Sequence, residues 1–146
     1  MLPVNSPRPS NQAIVSLGSN IEPRTEYLKR AIAALSSLPE TRFVKASSVI
    51  ETEPVDVPPE FTALKFLNQV AVFETKLPVF DFSSRMHAIE DALGRVRTVR
   101  NGPRTIDIDL IDFDGQVINT SELILPHPRA HLRDFVQTPL RELGIL

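Results

Sequence analysis

The chain has 146 residues, 16 basic and 18 acidic, with a formal net charge of −2. That length suits one domain, and the slightly acidic balance argues against a protein whose main task is gripping nucleic acid through a broad basic surface. Cysteine is absent, which removes disulfides, thiolate metal sites and cysteine nucleophiles.

No apolar run approaches a membrane span, and residues 1–12 lack the charged start and apolar stretch of a signal peptide, so a cytoplasmic protein is expected. Those twelve residues carry three prolines and read as a flexible extension, ahead of a single domain over 13–146. Residues 13–17 (AIVSL) form a short apolar run of strand length, ended by Gly18-Ser19-Asn20. Pro23 then opens a helix over about 23–37, in which Leu28, Ala31, Ile32 and Leu35 recur at helical spacing. Residues 43–52, rich in Val, Ile, Ser and Thr, predict a second strand. The proline-rich stretch 53–65 predicts a loop, and residues 66–75 a third strand.

Pro78 opens a second helix whose Phe82, Met86, Ile89 and Leu93 make a buried stripe, closed by Gly94. A basic loop leads to a strand over 105–113 (TIDIDLIDF). Gly115 turns the chain into a proline-punctuated tail with a short terminal helix. The order strand, helix, strand, strand, helix, strand is packed most economically as two helices on one face of an antiparallel sheet. The expected class is therefore α+β, a ferredoxin-like sandwich with a C-terminal extension.

The sharpest chemical feature is Arg104-Thr105-Ile106-Asp107-Ile108-Asp109. On a strand, residues two apart share a face, so Asp107 and Asp109 project together while Ile106, Ile108 and Leu110 enter the core. Two carboxylates so placed repel unless a cation or proton lies between them. With no His or Cys beside them, they suit Mg²⁺, which takes one or two carboxylates plus substrate phosphates. An isolated Asp-x-Asp is more often an ordinary solvated strand face. Here, however, Arg95, Arg97, Arg100 and Arg104 crowd the preceding loop of an acidic protein. Arginines beside a carboxylate pair describe a phosphoryl-transfer site.

Elsewhere, His127 is held between two prolines, and taken alone it more often caps a backbone carbonyl than contacts a phosphate. Phe66 and Asn68 alternate onto one face of the third strand. The Asn amide is able to read the edge of a heterocycle, and Phe66 and Phe135 to stack on it, although phenylalanines are usually core. His87 and Glu90 share a helix face without making a metal site.

Together these residues resemble the 6-hydroxymethyl-7,8-dihydropterin pyrophosphokinase family of folate biosynthesis. The resemblance runs from Ser16-Leu17-Gly18-Ser19-Asn20 to Pro139-Leu140. It rests chiefly on Gly94-Arg95-Val96-Arg97 and on Gly102-Pro103-Arg104-Thr105-Ile106-Asp107-Ile108-Asp109, with Thr52-Glu53-Pro54, Phe66-Leu67-Asn68, Pro126-His127-Pro128 and Arg133-Asp134-Phe135 in support. It implies transfer of pyrophosphate from ATP to the pterin hydroxymethyl group, with release of AMP. It further implies that Asp107 and Asp109 hold two Mg²⁺ ions and that Arg95 and Arg104 engage the phosphates. Glu90, Arg97, Ile111, His127 and Arg133 would line the ATP site. Thr52, Pro54, Val55, Phe66, Asn68 and Phe135 would form the pterin pocket. ATP and the pterin are the expected partners, with no nucleic acid and no membrane. A monomer is expected, a dimer being the alternative. The competing functional reading is a catalytically weakened pterin- or nucleotide-binding homologue.

Overall fold

The computed structural model describes residues 9–53, 58–61, 64–94 and 105–145. Its central strand, β1 (Asn11–Ser19), is buried from Ala13 onward on both faces, as its nearly continuous apolar run requires. It begins two residues earlier than its apolar stretch, because the backbone pairing extends to Asn11 opposite Thr75 and Gln12 opposite Glu74. Helix α1 (Arg24–Ser36) follows. Pro23 sits just outside it, and the Pro23 carbonyl accepts the Tyr27 amide at 3.1 Å.

The single strand expected over 43–52 is in fact two, β2 (Thr41–Ala46) and β3 (Ile50–Thr52), both antiparallel to β4 (Phe66–Thr75). Long-range hydrogen bonds of two serines accompany the break, since a serine offers the backbone an alternative to the ladder. Ser47 Oγ accepts the Val70 amide at 3.0 Å, and Ser48 turns out to donate from N and Oγ to the Glu142 carboxylate. After β4, helix α2 (Val79–Ala92) returns the chain to β5 (Asp107–Phe113). Pro78 stands at the helix start rather than inside it.

The sheet order is β2-β4-β1-β5, with β3 continuing along β4 and every pair antiparallel. Its two faces differ. On one, α1 and α2 bring Leu28, Leu35, Phe82 and Met86 onto Val15, Leu17, Phe73 and Ile108 in a continuous core. Each such side chain contributes about 1.5–3 kcal/mol by leaving water.

The other face is covered at one end by the C-terminal extension. After a small hairpin, β6 (Ile118–Asn119) and β7 (Ile124–Leu125), helix α3 (Asp134–Glu142) sets Val136 and Leu140 against Ile14, Val70, Val72 and Ile111. Its far end is held by Glu142 on Ser48 and by Lys45 Nζ, which donates to the Leu143 carbonyl at 2.9 Å. Ile111 falls on this side by the same alternation as Asp107 and Asp109, and a β-bulge sits at it: Val15 pairs with Leu110 and Ile14 with Asp112, leaving Ile111 as the extra residue. Among the described residues no helix is long and apolar enough to cross a membrane.

Candidate active site

The uncovered end of the second face is polar, and the sheet register places its residues. Gly18 of β1 lies between Asn68 of β4 and Asp107 of β5, and Ser16 lies opposite Asp109. Asp107 and Asp109 are half-buried and share this side, while Ile106, Ile108 and Leu110 are buried in the helix-covered core. Across the row from Asn68 to Asp107 there are two strand spacings, roughly 10 Å.

Gly18 is there for space. A Cβ at this position would lie 3.2 Å from Asn68 Oδ1 and 3.5 Å from the Phe66 ring. Asn68 is buried, and its amide Nδ2 donates to Thr52 Oγ1 at 2.5 Å. The neighbour of Thr52, Glu51, is in turn held by α1. Arg24 at the start of that helix bonds Glu51 at 2.9 Å and the Lys65 carbonyl at 3.1 Å, tying β3 to the approach of β4. Phe66, half-buried, stands beside Asn68 on the same face.

His127 closes the other side. Its backbone amide donates to the Ile111 carbonyl at 3.0 Å, along the edge of β5 that no strand of the main sheet covers. Its Nδ1 accepts the Arg129 amide at 3.1 Å, which leaves Nε2 to carry the proton of the neutral ring. Burial first, and then the Arg133 charge, hold the imidazole below its ordinary pKa, with Arg129 adding to this and Asp107 opposing it. His127 is thereby a neutral hydrogen-bond donor at pH 7, between a carboxylate and a guanidinium. The Arg133 guanidinium also lies over the Phe135 ring, 5.4 Å from its centroid. Asp107, His127, Arg133 and Phe135 are thus brought to one end of the sheet.

Next to His127 a cleft of about 250 Å³ opens between α2, the edge of β5 and the small hairpin. Its lining includes Ser83, Met86 and His87 from α2, Asp109 from β5, Thr120 to Ile124 from the hairpin, and His127 itself. Ile111 and Arg133 are not part of that lining. Nor is Glu90, whose side chain is 1 % exposed. Its two oxygens face His87 Nδ1 at 2.9 Å and the Ile108 amide at 2.7 Å.

Arg95, Arg97 and Arg104 lie outside the described residues, as do Pro54 and Val55. Sequence reasoning did not single out Gly18 or the cleft wall. A glycine inside a buried strand was the available signal for the first, since it marks close approach of a neighbour. The hairpin, with two-residue strands, offers no periodicity to read.

The donor set suits a hard cation. Two half-buried carboxylates match the way Mg²⁺ is held, by one or two carboxylates with the rest from water and phosphate, and the nearby His127 has its Nδ1 engaged by the Arg129 amide. No group of three or more His, Asp or Glu gathers as an all-protein cage among the described residues.

Comparison with known proteins fits this geometry. The model of the 7,8-dihydro-6-hydroxymethylpterin-pyrophosphokinase (HPPK) family matches residues 14–144. The 2-amino-4-hydroxy-6-hydroxymethyldihydropteridine pyrophosphokinase of Bacillus subtilis is 41% identical over 134 residues, covering 92% of this chain and 78% of that protein. The protein of the same name from Pseudomonas aeruginosa is 38% identical over 133 residues, covering 89% and 78%. Among solved structures, the wild-type HPPK-DHPS of Plasmodium falciparum with pteroate superposes with a TM-score of 0.70 at 13% identity. That match takes in 95% of this chain and 40% of the longer one, a likeness of fold. With that coverage and identity, the chain belongs to the 7,8-dihydro-6-hydroxymethylpterin-pyrophosphokinase family.

Proposed function

We propose that the polar end of the second sheet face is the catalytic centre of a pyrophosphoryl transfer. As a member of its family the protein is an ATP-dependent diphosphokinase, which moves pyrophosphate from ATP to 6-hydroxymethyl-7,8-dihydropterin in folate biosynthesis. The observation that carries the assignment of residues is the row Asn68, Gly18, Asp107 across three neighbouring strands. It offers an amide-reading group at one end and a carboxylate at the other, separated by the length of a bicyclic ring with a hydroxymethyl arm. The topology supports reading the fold as a ferredoxin-like βαββαβ sandwich, in which β2 and β3 together make the second strand.

In this reading the pterin lies over Gly18, its ring edge on the Asn68 amide and its face against Phe66, with Phe135 on the other side. Thr52 fixes the Asn68 amide and so decides which way round the heterocycle is read. ATP occupies the cleft beside β5, with its phosphates turned toward Asp107 and Asp109. Mg²⁺ at those carboxylates, two ions in this reading, supplies neutralisation of the phosphate charge and polarisation of the attacking oxygen. Nε2 of neutral His127 donates to a phosphate oxygen without adding a charge that must later be released. Arg133 adds a fixed positive charge beside it. The loop arginines Arg95, Arg97 and Arg104 complete the phosphate contacts. The hydroxymethyl oxygen then bonds to the β-phosphorus and gives up its proton to solvent beside Asp107 and Asp109, the bond from that phosphorus to the bridging α-phosphate oxygen breaks, and AMP leaves. No side chain here is a strong general base, so alignment and charge neutralisation carry the rate.

The test is AMP release from MgATP with and without the pterin, in the wild type and in Asp107→Ala. Pterin-dependent AMP is expected, falling about 10³-fold in the variant, the scale of losing one electrostatic element of a transition-state clamp. Tight nucleotide binding with no AMP in the wild type would instead favour the binding-protein reading.

A further inference from the structure

Glu90 is a charged side chain buried to 99 % of its surface, and a buried carboxylate is costly unless its oxygens are fully engaged. Its engagement is specific. From the last turn of α2, Oε2 accepts the backbone amide of Ile108 at 2.7 Å, a short charge-assisted hydrogen bond. Ile108 is the residue between Asp107 and Asp109. β5 is a terminal strand of the sheet, and β1 holds it along one edge only. On the open edge, Glu90 grips the strand at the residue between the two acids, and the His127 amide grips it again at the Ile111 carbonyl. The other Glu90 oxygen meets His87 Nδ1, and the His87 ring lines the cleft.

We propose that Glu90 is a positioning residue rather than a nucleotide ligand: through the Ile108 amide it fixes the short stretch of β5 that spaces Asp107 and Asp109. The proposal rests on the reading of those two aspartates as metal ligands. A free strand edge flexes and twists, and two carboxylates two residues apart keep a set separation only if the peptide planes between them are held. Groups that orient metal ligands from behind commonly contribute as much to metal affinity as their modest size allows. What Glu90 supplies at the Ile108 amide is an acceptor at the right reach, a role that side-chain length rather than charge decides.

Two variants separate reach from charge. Glu90→Gln keeps the length and keeps an acceptor for Ile108, with its amide nitrogen turned to His87 Nδ1. Glu90→Asp keeps the charge and is one methylene short. Three readouts are taken on the whole chain: exchange of the Ile108 amide, affinity for Mn²⁺ in the presence of α,β-methylene ATP, and kcat with the pterin KM. The glutamine variant is expected within about threefold of wild type in all three, while the aspartate variant exchanges Ile108 faster, binds Mn²⁺ about tenfold more weakly and loses about tenfold in kcat at unchanged pterin KM.

A glutamine variant as impaired as the aspartate one overturns the inference, and so does an aspartate variant that matches wild type. If the aspartate variant does not fold, the glutamine variant decides alone, because lost Mn²⁺ affinity in it means that charge was required. A wild-type protein that binds no Mn²⁺ fails the metal reading of Asp107 and Asp109. Normal wild-type binding with no effect of Glu90→Asp fails this inference only.

Discussion

Leu17 and Gly18 are neighbours on β1 and belong to different proteins, in effect. Leu17 points into the helix-covered face, where it is fully buried among Phe73, Ile108 and the side chains of α1 and α2. Gly18 faces the other side, beneath Asn68 and Phe66, where the absence of a side chain is what matters. The first face is covered by α1 and α2, with the cleft opening at its β5 edge. The second is sealed only where α3 lies, and its remaining end keeps polar groups at the surface. Stability is concentrated on one side of a single sheet, and the two aspartates and the Asn68 amide assigned to chemistry lie on the other.

That contrast is open to direct attack, starting with the largest effect. Leu17→Ala is expected to cost about 3–4 kcal/mol by leaving a cavity in the sealed face, which lowers the melting temperature by about 10 °C. Below the transition its turnover should remain close to wild type, because no group of the polar end moves; a thermal melt paired with an AMP assay at low temperature checks both. One residue on, Gly18→Ala should show the reverse pattern. The new Cβ sits close enough to Asn68 Oδ1 to displace it by a few tenths of an ångström, and about tenfold weaker pterin binding is expected at a stability cost near 1 kcal/mol. Pterin titration by fluorescence, with urea unfolding alongside, measures the two.

Glu142→Ala sharpens the comparison at the covered end of the second face. It removes the acceptor for Ser48 N and Oγ at an exposed site, so about 1 kcal/mol should be lost, together with faster amide exchange in α3. The smallest expected effect belongs to His127. Its pKa in the folded chain lies below the ordinary 6.5, through burial first and Arg133 next. The unfolded chain therefore takes up the proton at higher pH than the folded one. The contribution is fully present above about 6.5 and is lost as pH falls through the lower folded value. Unfolding free energy should fall with acidification in that window, and the fall should be shallower in His127→Gln, as read from denaturant curves at several pH values.

The order of elements was legible because each long one carries its period. α2 shows its stripe at Phe82, Met86 and Ile89, and β4 matches its apolar run from Phe66 to Thr75. The two-strand break at residues 47–49 was not, since it depends on Ser47 and Ser48 bonding to Val70 and to Glu142, 94 residues away. The cover on the second face depends in the same way on long-range contacts of α3. At the site, the shared face of Asp107 and Asp109 follows from strand geometry alone. The burial of Glu90 does not: helical spacing puts it near the buried stripe, but only the tertiary arrangement presents it with the edge of β5.

The bulge at Ile111 has a consequence for how this strand tolerates change. In an unbroken strand, Asp112 would share the side of Ile108 and Leu110 and enter the sealed core, and Phe113 would fall on the side of the two aspartates. The extra residue shifts the phase of alternation once, so that Phe113 is buried beside Phe82 and Asp112 stays out to accept the Gly115 amide. The acidic segment before the bulge and the anchoring segment after it are thereby set in independent frames. Point substitutions at 107 or 109 leave the anchor untouched, and losing any one residue between 110 and 112 would close the bulge into a regular strand that still places Phe113 on the core side.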